Sequence, residues 1–147
     1  MTNLREQKGF TLVELMVAVA IVGIIATIAI PYVQDYLRHS KRADASSALI
    51  QLSQAMQRYY TENNTYLGAA VSGNDTGIPA SSTFAYSQSP FSGNPAYNLR
   101  ISAATASTYT LSAIPTGEQA GDVCGTLTLT SKNVRGHGAS GSTECWR

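Results

Sequence analysis

A long apolar run near the N-terminus is the feature that most constrains how this chain folds. From Leu15 to Ile30 the sequence contains no charged residue, and only Thr27 is clearly polar. With Phe10 to Val13 added, the segment reaches the roughly 20 residues that a helix needs to cross a bilayer. One acidic side chain, Glu14, interrupts the segment near its beginning. The run predicts a membrane-spanning helix, and Glu14 requires a separate explanation.

A secretory signal peptide and a plain membrane anchor are two simpler interpretations of this run. Thr27, Ile28 and Ala29 loosely resemble the cleavage site of a signal peptide, but the run is longer than a usual signal core and the sequence beyond it continues as helix. A plain anchor explains the length but not Glu14, because an acidic side chain well inside a bilayer costs roughly 2.5–3.5 kcal/mol. The carboxylate therefore predicts a functional partner.

A cationic partner for Glu14 arises if the chain is cut between Gly9 and Phe10. No lysine or arginine follows Glu14 within two helical turns, and Lys8 lies just before the cut. Cleavage creates a new ammonium group four residues from Glu14, about 6 Å along a helix axis. A processed chain would then carry both members of a charge pair.

The sequence "GFTLVE" and the short basic leader before it resemble the class III signal of type IV pilins and pseudopilins. Gly23 and Pro31 in the apolar helix, and a cysteine pair near the C-terminus, match the same family. The resemblance implies that prepilin peptidase removes residues 1–9 and that Phe10 is N-methylated. It also implies that Glu14 pairs with the Phe10 amine of a neighbouring subunit, and that the helix loosens at Gly23 and Pro31 in the fibre.

The resemblance also implies partners and a location. The partners are other pilin subunits, prepilin peptidase and the inner-membrane pilus assembly machinery. The subunit is expected in the inner membrane before assembly and in an extracellular type IV pilus afterwards, where it supports adhesion, twitching motility or DNA uptake. The positive-inside rule does not favour an N-terminus on the cytoplasmic side, because Arg5 and Lys8 precede the span and further basic residues follow it within residues 38–42.

Beyond the apolar run the sequence becomes amphipathic. Apolar residues recur at spacings of three and four between Ala45 and Tyr59, while polar residues take another face. The transmembrane and assembly helix over residues 10–31 is therefore expected to continue as an amphipathic helix over residues 32–62. The first half has nothing of its own chain to pack on, so other copies must bury it outside a membrane.

The C-terminal half predicts a small sheet. Residues 63–96 are rich in Ser, Asn, Gly and Pro, which predicts a long surface connection anchored by a few aromatic side chains. Three segments of alternating apolar and polar residues follow, beginning at Tyr97, Thr108 and Thr126. We expect an α+β fold, in which the long helix packs on a small antiparallel sheet within residues 97–147, as in a pilin head.

The two cysteines, Cys124 and Cys145, lie in the part expected outside the cytoplasm, where disulfides form. Neither has a CxxC partner, which argues against a metal site. A bridge between them would contribute about 3 kcal/mol in the chain-entropy model. Such a bridge also favours a pilus pilin over a type II secretion pseudopilin.

Roughly 115 residues remain outside the bilayer, enough for one small domain.

Motifs of enzymes are absent from the sequence, which contains no GxSxG, HExxH or Walker loop. We therefore expect no enzymatic activity, no cofactor and no metal. The stretch "GHGASGS", Gly136 to Ser142, predicts a Gly/Ser turn that carries His137. The formal net charge of the chain is +1, so any binding of nucleic acid would have to be local.

The stretch "SKNVRGHGASGSTECWR" places cations around Trp146; these residues, called the basic strip, are Lys132, Arg135, His137 and Arg147. Cations beside an aromatic ring are suited to hold a phosphate backbone and stack a base. The simpler explanation is a solvated edge with Trp146 as a hydrophobic anchor. The ending from "CGTLTL" to "ECWR" resembles that of minor pilins of the PilE and ComP kind, some of which are similar to DNA-uptake receptors. A DNA-binding minor pilin and a pseudopilin remain alternatives to a purely structural pilin.

Overall fold

The computed structural model describes residues 9–138 and 145–146, apart from the side chain of Pro31. The described elements are α1 (Leu12–Asn63), β1 (Gln88–Ser89), β2 (Tyr97–Ala104), β3 (Tyr109–Pro115), β4 (Leu127–Thr130) and β5 (Arg135–His137). Two single turns of 3-10 helix, Val71–Gly73 and Gly117–Gln119, lie in the connections. The chain divides into two compact units, one ending at Leu37 and the other beginning at Arg38.

The first unit consists of the N-terminal part of α1. The helix begins after Thr11, whose hydroxyl accepts a hydrogen bond from the backbone N–H of Glu14 at 3.3 Å. It continues through Gly23 and Pro31 without a break in its assignment. The large apolar side chains of this unit are exposed, from Phe10 at 81%, just before the helix, to Leu37 at 48%. By length and composition, α1 contains a segment suited to crossing a membrane.

In the second unit, α1 buries one stripe of side chains in the hydrophobic core. The buried members follow the predicted spacing of three and four, and they are Ala45, Ala48, Leu49, Leu52, Ala55 and Met56. Tyr59, also predicted for this face, is partly buried. The residues expected on the polar face are all exposed: Asp44, Ser47, Gln51, Gln54 and Arg58. The amphipathic pattern therefore identified the packing face correctly.

The five strands form one antiparallel sheet in chain order, β1-β2-β3-β4-β5. Alternate apolar residues of its three longest strands are buried against α1 in the core, and they are Tyr97, Leu99, Ile101, Tyr109, Leu111, Ala113, Leu127 and Leu129. The register aligns these residues in rows across the sheet, as in the pairs Leu99↔Ala113 and Leu111↔Leu129. The predicted α+β fold is confirmed.

The connection between α1 and β2 is anchored by aromatic residues, as expected. Tyr66 is buried and packs edge-on against Tyr109, with ring centroids 4.8 Å apart. Tyr86 stacks on Phe91 at 4.1 Å, and Phe84 contacts both rings. The connection differs from the prediction in that it contributes strand β1 to the edge of the sheet, outside residues 97–147.

The predicted Gly/Ser turn is wrong at its start. Gly136 and His137 belong to β5, because their backbones pair with Thr128 and Leu127 of β4. The sheet therefore continues one strand further than the alternating pattern indicated. Residues 139–142 of that predicted turn lie outside the described residues.

Candidate nucleic-acid interface

The hairpin of β4 and β5 carries most of the predicted basic strip. A short turn joins the strands, and Asn133 adopts a left-handed backbone with φ 57°. The turn is closed by hydrogen bonds from the N–H of Asn133 to the carbonyl of Thr130 at 2.9 Å and from the N–H of Thr130 to the carbonyl of Val134 at 3.1 Å. This geometry leaves Lys132 exposed at the tip of the hairpin.

Arg135 and His137 occupy alternate positions of β5, so their side chains lie on the same face of the strand. Arg135 is exposed, whereas His137 is half-buried. The Nδ1 atom of His137 is buried and has no hydrogen-bond partner among the described residues. Lys132 and Arg135 are therefore more accessible than His137, and Arg147 lies outside the described residues.

Trp146 lies against this hairpin and is held in place by three contacts. Its indole Nε1–H donates to the backbone carbonyl of Gly136 at 2.8 Å, and the ring packs against the hydrophobic core. The preceding residue, Cys145, forms a disulfide with Cys124, with the Cα atoms 5.7 Å apart. The predicted disulfide is confirmed, and it joins the C-terminal residues to the connection between β3 and β4.

The same connection is attached to α1 by a buried ion pair. The Asp122 carboxylate, two residues before Cys124, accepts hydrogen bonds from Arg42 Nε at 3.0 Å, from Arg42 Nη2, and from the Tyr97 hydroxyl at 2.8 Å. The side chains of Arg42 and Asp122 are only 5% and 1% exposed. Gln119 donates to the Tyr97 hydroxyl at 3.1 Å and to the carbonyl of Arg38 at 3.2 Å.

The ionisable side chains of this cluster shift one another's pKa values. Burial acts to raise the pKa of Asp122, but the hydrogen bonds from Arg42 and Tyr97 outweigh it and hold that pKa below its ordinary value. The hydrogen bond to Asp122 raises the pKa of Arg42. Burial and the hydrogen bond to Asp122 together raise the pKa of Tyr97 to about 12. The ion pair is therefore fully charged at neutral pH.

Glu14 has a local role that the sequence reasoning missed. Thr11 and Glu14 have the Thr-x-x-Glu spacing of a capping box, and the Thr11 hydroxyl accepts from the Glu14 backbone N–H, which is one of the motif's two hydrogen bonds. The second bond, from the Thr11 N–H to the Glu14 carboxylate, is not formed among the described residues. An acidic side chain in the first turn also interacts favourably with the helix dipole. The spacing of Thr11 and Glu14 was the available signal. The Glu14 side chain thus has a local explanation, from its place in the first turn of α1, besides the predicted intersubunit one.

Comparison with known proteins identifies the class. Residues 4–30 match the prokaryotic N-terminal methylation motif. Type IV pilins share this N-terminus with an α+β head, and the described fold agrees with that class. Residues 31–128, about two thirds of the chain, match the family described as type IV minor pilin ComP, DNA uptake sequence receptor. The chain belongs to this family, which favours a pilus pilin over a pseudopilin.

Individual relatives are also pilins. The chain is 42% identical over 60 residues to the fimbrial protein EcpC of Eikenella corrodens, covering 41% of this chain and 39% of that protein. It is 43% identical over 70 residues to a type IV major pilin of Neisseria gonorrhoeae, covering 44% and 42%. The matched regions span about two fifths of these relatives' length.

Among solved structures, the non-core minor pilin PilV of Neisseria meningitidis is similar, with 18% identity and a TM-score of 0.49 over 74% of this chain and 93% of that chain. The family match itself ends at residue 128, before the hairpin turn. Lys132, Arg135 and Trp146 therefore lie outside the residues that match the family model.

Proposed function

We propose that this protein is a minor type IV pilin that joins other pilin subunits in a cell-surface filament and binds duplex DNA there. The observation that carries the proposal is the family match over residues 31–128 together with the methylation motif over residues 4–30. The exposed apolar side chains of the first part of α1 support the filament role, because such a surface has to be covered by lipid or by other copies.

The proposed route to the filament begins in the inner membrane, where α1 anchors the precursor. Prepilin peptidase cleaves between Gly9 and Phe10, the new Phe10 amine is methylated, and the assembly machinery transfers the subunit to the pilus. Gly9 and Phe10 precede α1 and are exposed, which is compatible with access by a peptidase. Gly23 and Pro31 are proposed as the points at which the helix loosens, since both residues weaken helices.

The proposed DNA contact is the exposed part of the basic strip, Lys132 and Arg135, with His137 beside them. Lysine and arginine side chains neutralise phosphates and release counterions, so even two such contacts produce a measurable salt dependence. The hairpin turn presents Lys132, and β5 presents Arg135. Because the whole chain carries a formal charge of only +1, no global field replaces these local contacts.

The test is a salt titration of duplex binding by the full chain in detergent, comparing the parent with the double variant Lys132→Gln/Arg135→Gln. The parent should bind weakly, and its affinity should fall as salt rises. The double variant should bind more weakly and lose roughly one unit of salt slope per contact removed. The matched control is Arg58→Gln/Arg100→Gln, which removes the same charge from two exposed positions within residues 31–128 and should bind like the parent.

Three outcomes separate the possibilities. Weakening confined to the Lys132→Gln/Arg135→Gln variant supports the strip. Weakening confined to the control variant moves the DNA surface into residues 31–128, which match the family model, and overturns the assignment of the strip. If the parent fails to bind duplex DNA at low salt, the DNA role is wrong and the protein is a structural subunit alone.

A further inference from the structure

Trp146 and Arg135 contact each other directly. The guanidinium carbon of Arg135 lies over the indole ring, 5.5 Å from its centroid, within the range of a cation–π interaction. The guanidinium therefore covers part of the ring face on which a nucleic-acid base would stack. This contact changes the expectation from the sequence, in which the cations hold phosphate and Trp146 stacks a base.

The position of the ring is fixed independently of Arg135. The indole N–H donates to Gly136, the neighbouring Cys145 is tied to Cys124, and Asp122 ties that connection to α1 through Arg42. The ring is partly buried against the core, whereas Arg135 is exposed. Of the two partners, the indole is the anchored one and the long arginine side chain is the one whose freedom the contact restricts.

We propose that Trp146 is a positioning residue for Arg135 and does not serve as a base-stacking platform. The inference rests on the proposed DNA function and names the residue that shapes the contact. A guanidinium held over an aromatic face at this distance retains N–H donors that can reach a phosphate or the O6 and N7 atoms of guanine. Restricting the side chain before binding lowers the entropy cost of the contact and so raises affinity.

A double-mutant cycle on duplex binding tests this role, using the full chain in detergent and a short fluorescein-labelled duplex. Trp146→Leu should weaken binding by roughly threefold to tenfold, because the exposed Arg135 side chain would then have to be ordered at the moment of binding. In the Arg135→Gln background the same Trp146→Leu change should have little further effect, because Trp146 acts through Arg135. Trp146→Phe keeps an aromatic face and should retain most of the parent's affinity.

A second measurement uses the fact that Trp146 is the only tryptophan of the chain. In the absence of DNA, Arg135→Gln should make the Trp146 fluorescence more accessible to the neutral quencher acrylamide, because the guanidinium no longer covers the ring. The matched control is Lys132→Gln, which removes the same charge from the same hairpin and should leave quenching unchanged.

The outcomes that overturn the inference are distinct from those that overturn the DNA function. If Trp146→Leu weakens binding by the same factor with and without Arg135, the ring acts on DNA or on the fold independently, and the positioning role is wrong. Unchanged quenching in Arg135→Gln also overturns it. If the parent protein binds no duplex at low salt, the DNA function fails and the positioning role for DNA fails with it, whatever the quenching shows.

Discussion

At the scale of single residues, the Asp122 carboxylate is a buried charge of the second unit whose partners come from distant parts of the chain. It joins α1 to the connection that carries Cys124, through Arg42 and the Tyr97 hydroxyl. This cluster could not be predicted from the sequence, because Arg42 and Asp122 are 80 residues apart and Arg42 is one of several basic residues within residues 38–42. Pairing of this kind depends on the tertiary packing, which a single sequence does not reveal.

Asp122→Asn should destabilise the full chain by about 3–5 kcal/mol, because it leaves the buried Arg42 guanidinium without its counter-charge. Urea unfolding in detergent, followed by Trp146 fluorescence, measures the change. The control is Glu118→Gln, which breaks the 3.0 Å pair with Lys41 at a position where the Glu118 side chain is 91% exposed. Its effect should stay within about 1 kcal/mol. Equal effects of the two variants would show that the buried pair has no special role.

The pH dependence of stability has a definite sign for the same residue. The folded-state pKa of Asp122 is lowered, so its charge contributes stability at pH values above the ordinary carboxyl pKa. That contribution is lost as the pH falls from about 4 toward the lower folded-state pKa. Asp122→Asn should therefore remove part of the parent's loss of stability below about pH 4. An unchanged acid limb in the variant would contradict the assignment.

At the scale of elements, the sequence predicted the helix and the strands that bury one face and repeat the apolar residues of that face at a regular spacing. The stripe on α1 and the alternation on β2, β3 and β4 extend over enough residues to show a period. β1 and β5 have only two and three residues and show no such pattern. β5 also contains Gly136, where a Cβ atom would come within 2.5 Å of Thr128 Oγ1. A glycine required by close packing looks in sequence like a glycine of a loop.

The disulfide is the element-scale constraint that is easiest to test. Replacing both Cys124 and Cys145 by Ser should lower the free energy of unfolding by about 3 kcal/mol, since the unfolded chain regains the freedom of a 21-residue loop. Thermal unfolding with and without reductant gives the internal control, because reductant should destabilise the parent and leave the double variant unchanged. Identical midpoints for the oxidised and reduced parent would show that the bridge does not contribute.

At the scale of the whole molecule, the sequence revealed more about assembly than about recognition. The apolar run, the processing site and Glu14 lie within one continuous segment, so local chemistry was sufficient to predict a filament subunit. The proposed DNA contact uses Arg135, which Trp146 holds in position. The contact between these two side chains depends on the folded backbone and on the disulfide. Glu14 belongs to both cases: a motif in the sequence predicted its intersubunit role, and the structure added a local explanation from its place in the first turn of α1.

The two explanations of Glu14 predict different behaviour in filaments. Pairing with the Phe10 amine requires the charge, so Glu14→Gln and Glu14→Ala should both reduce incorporation into sheared pili by about tenfold or more, leaving an amine without its partner. Membrane insertion should be unchanged or improved, because a costly charge is gone.

A capping box accepts Gln in place of Glu, so a purely local role predicts that Glu14→Gln assembles like the parent. Thr11→Ala, which removes the cap and keeps the carboxylate, is the matched control and should assemble. Normal incorporation of Glu14→Gln would reject the intersubunit pair and leave only a local role for Glu14 in the first turn of α1.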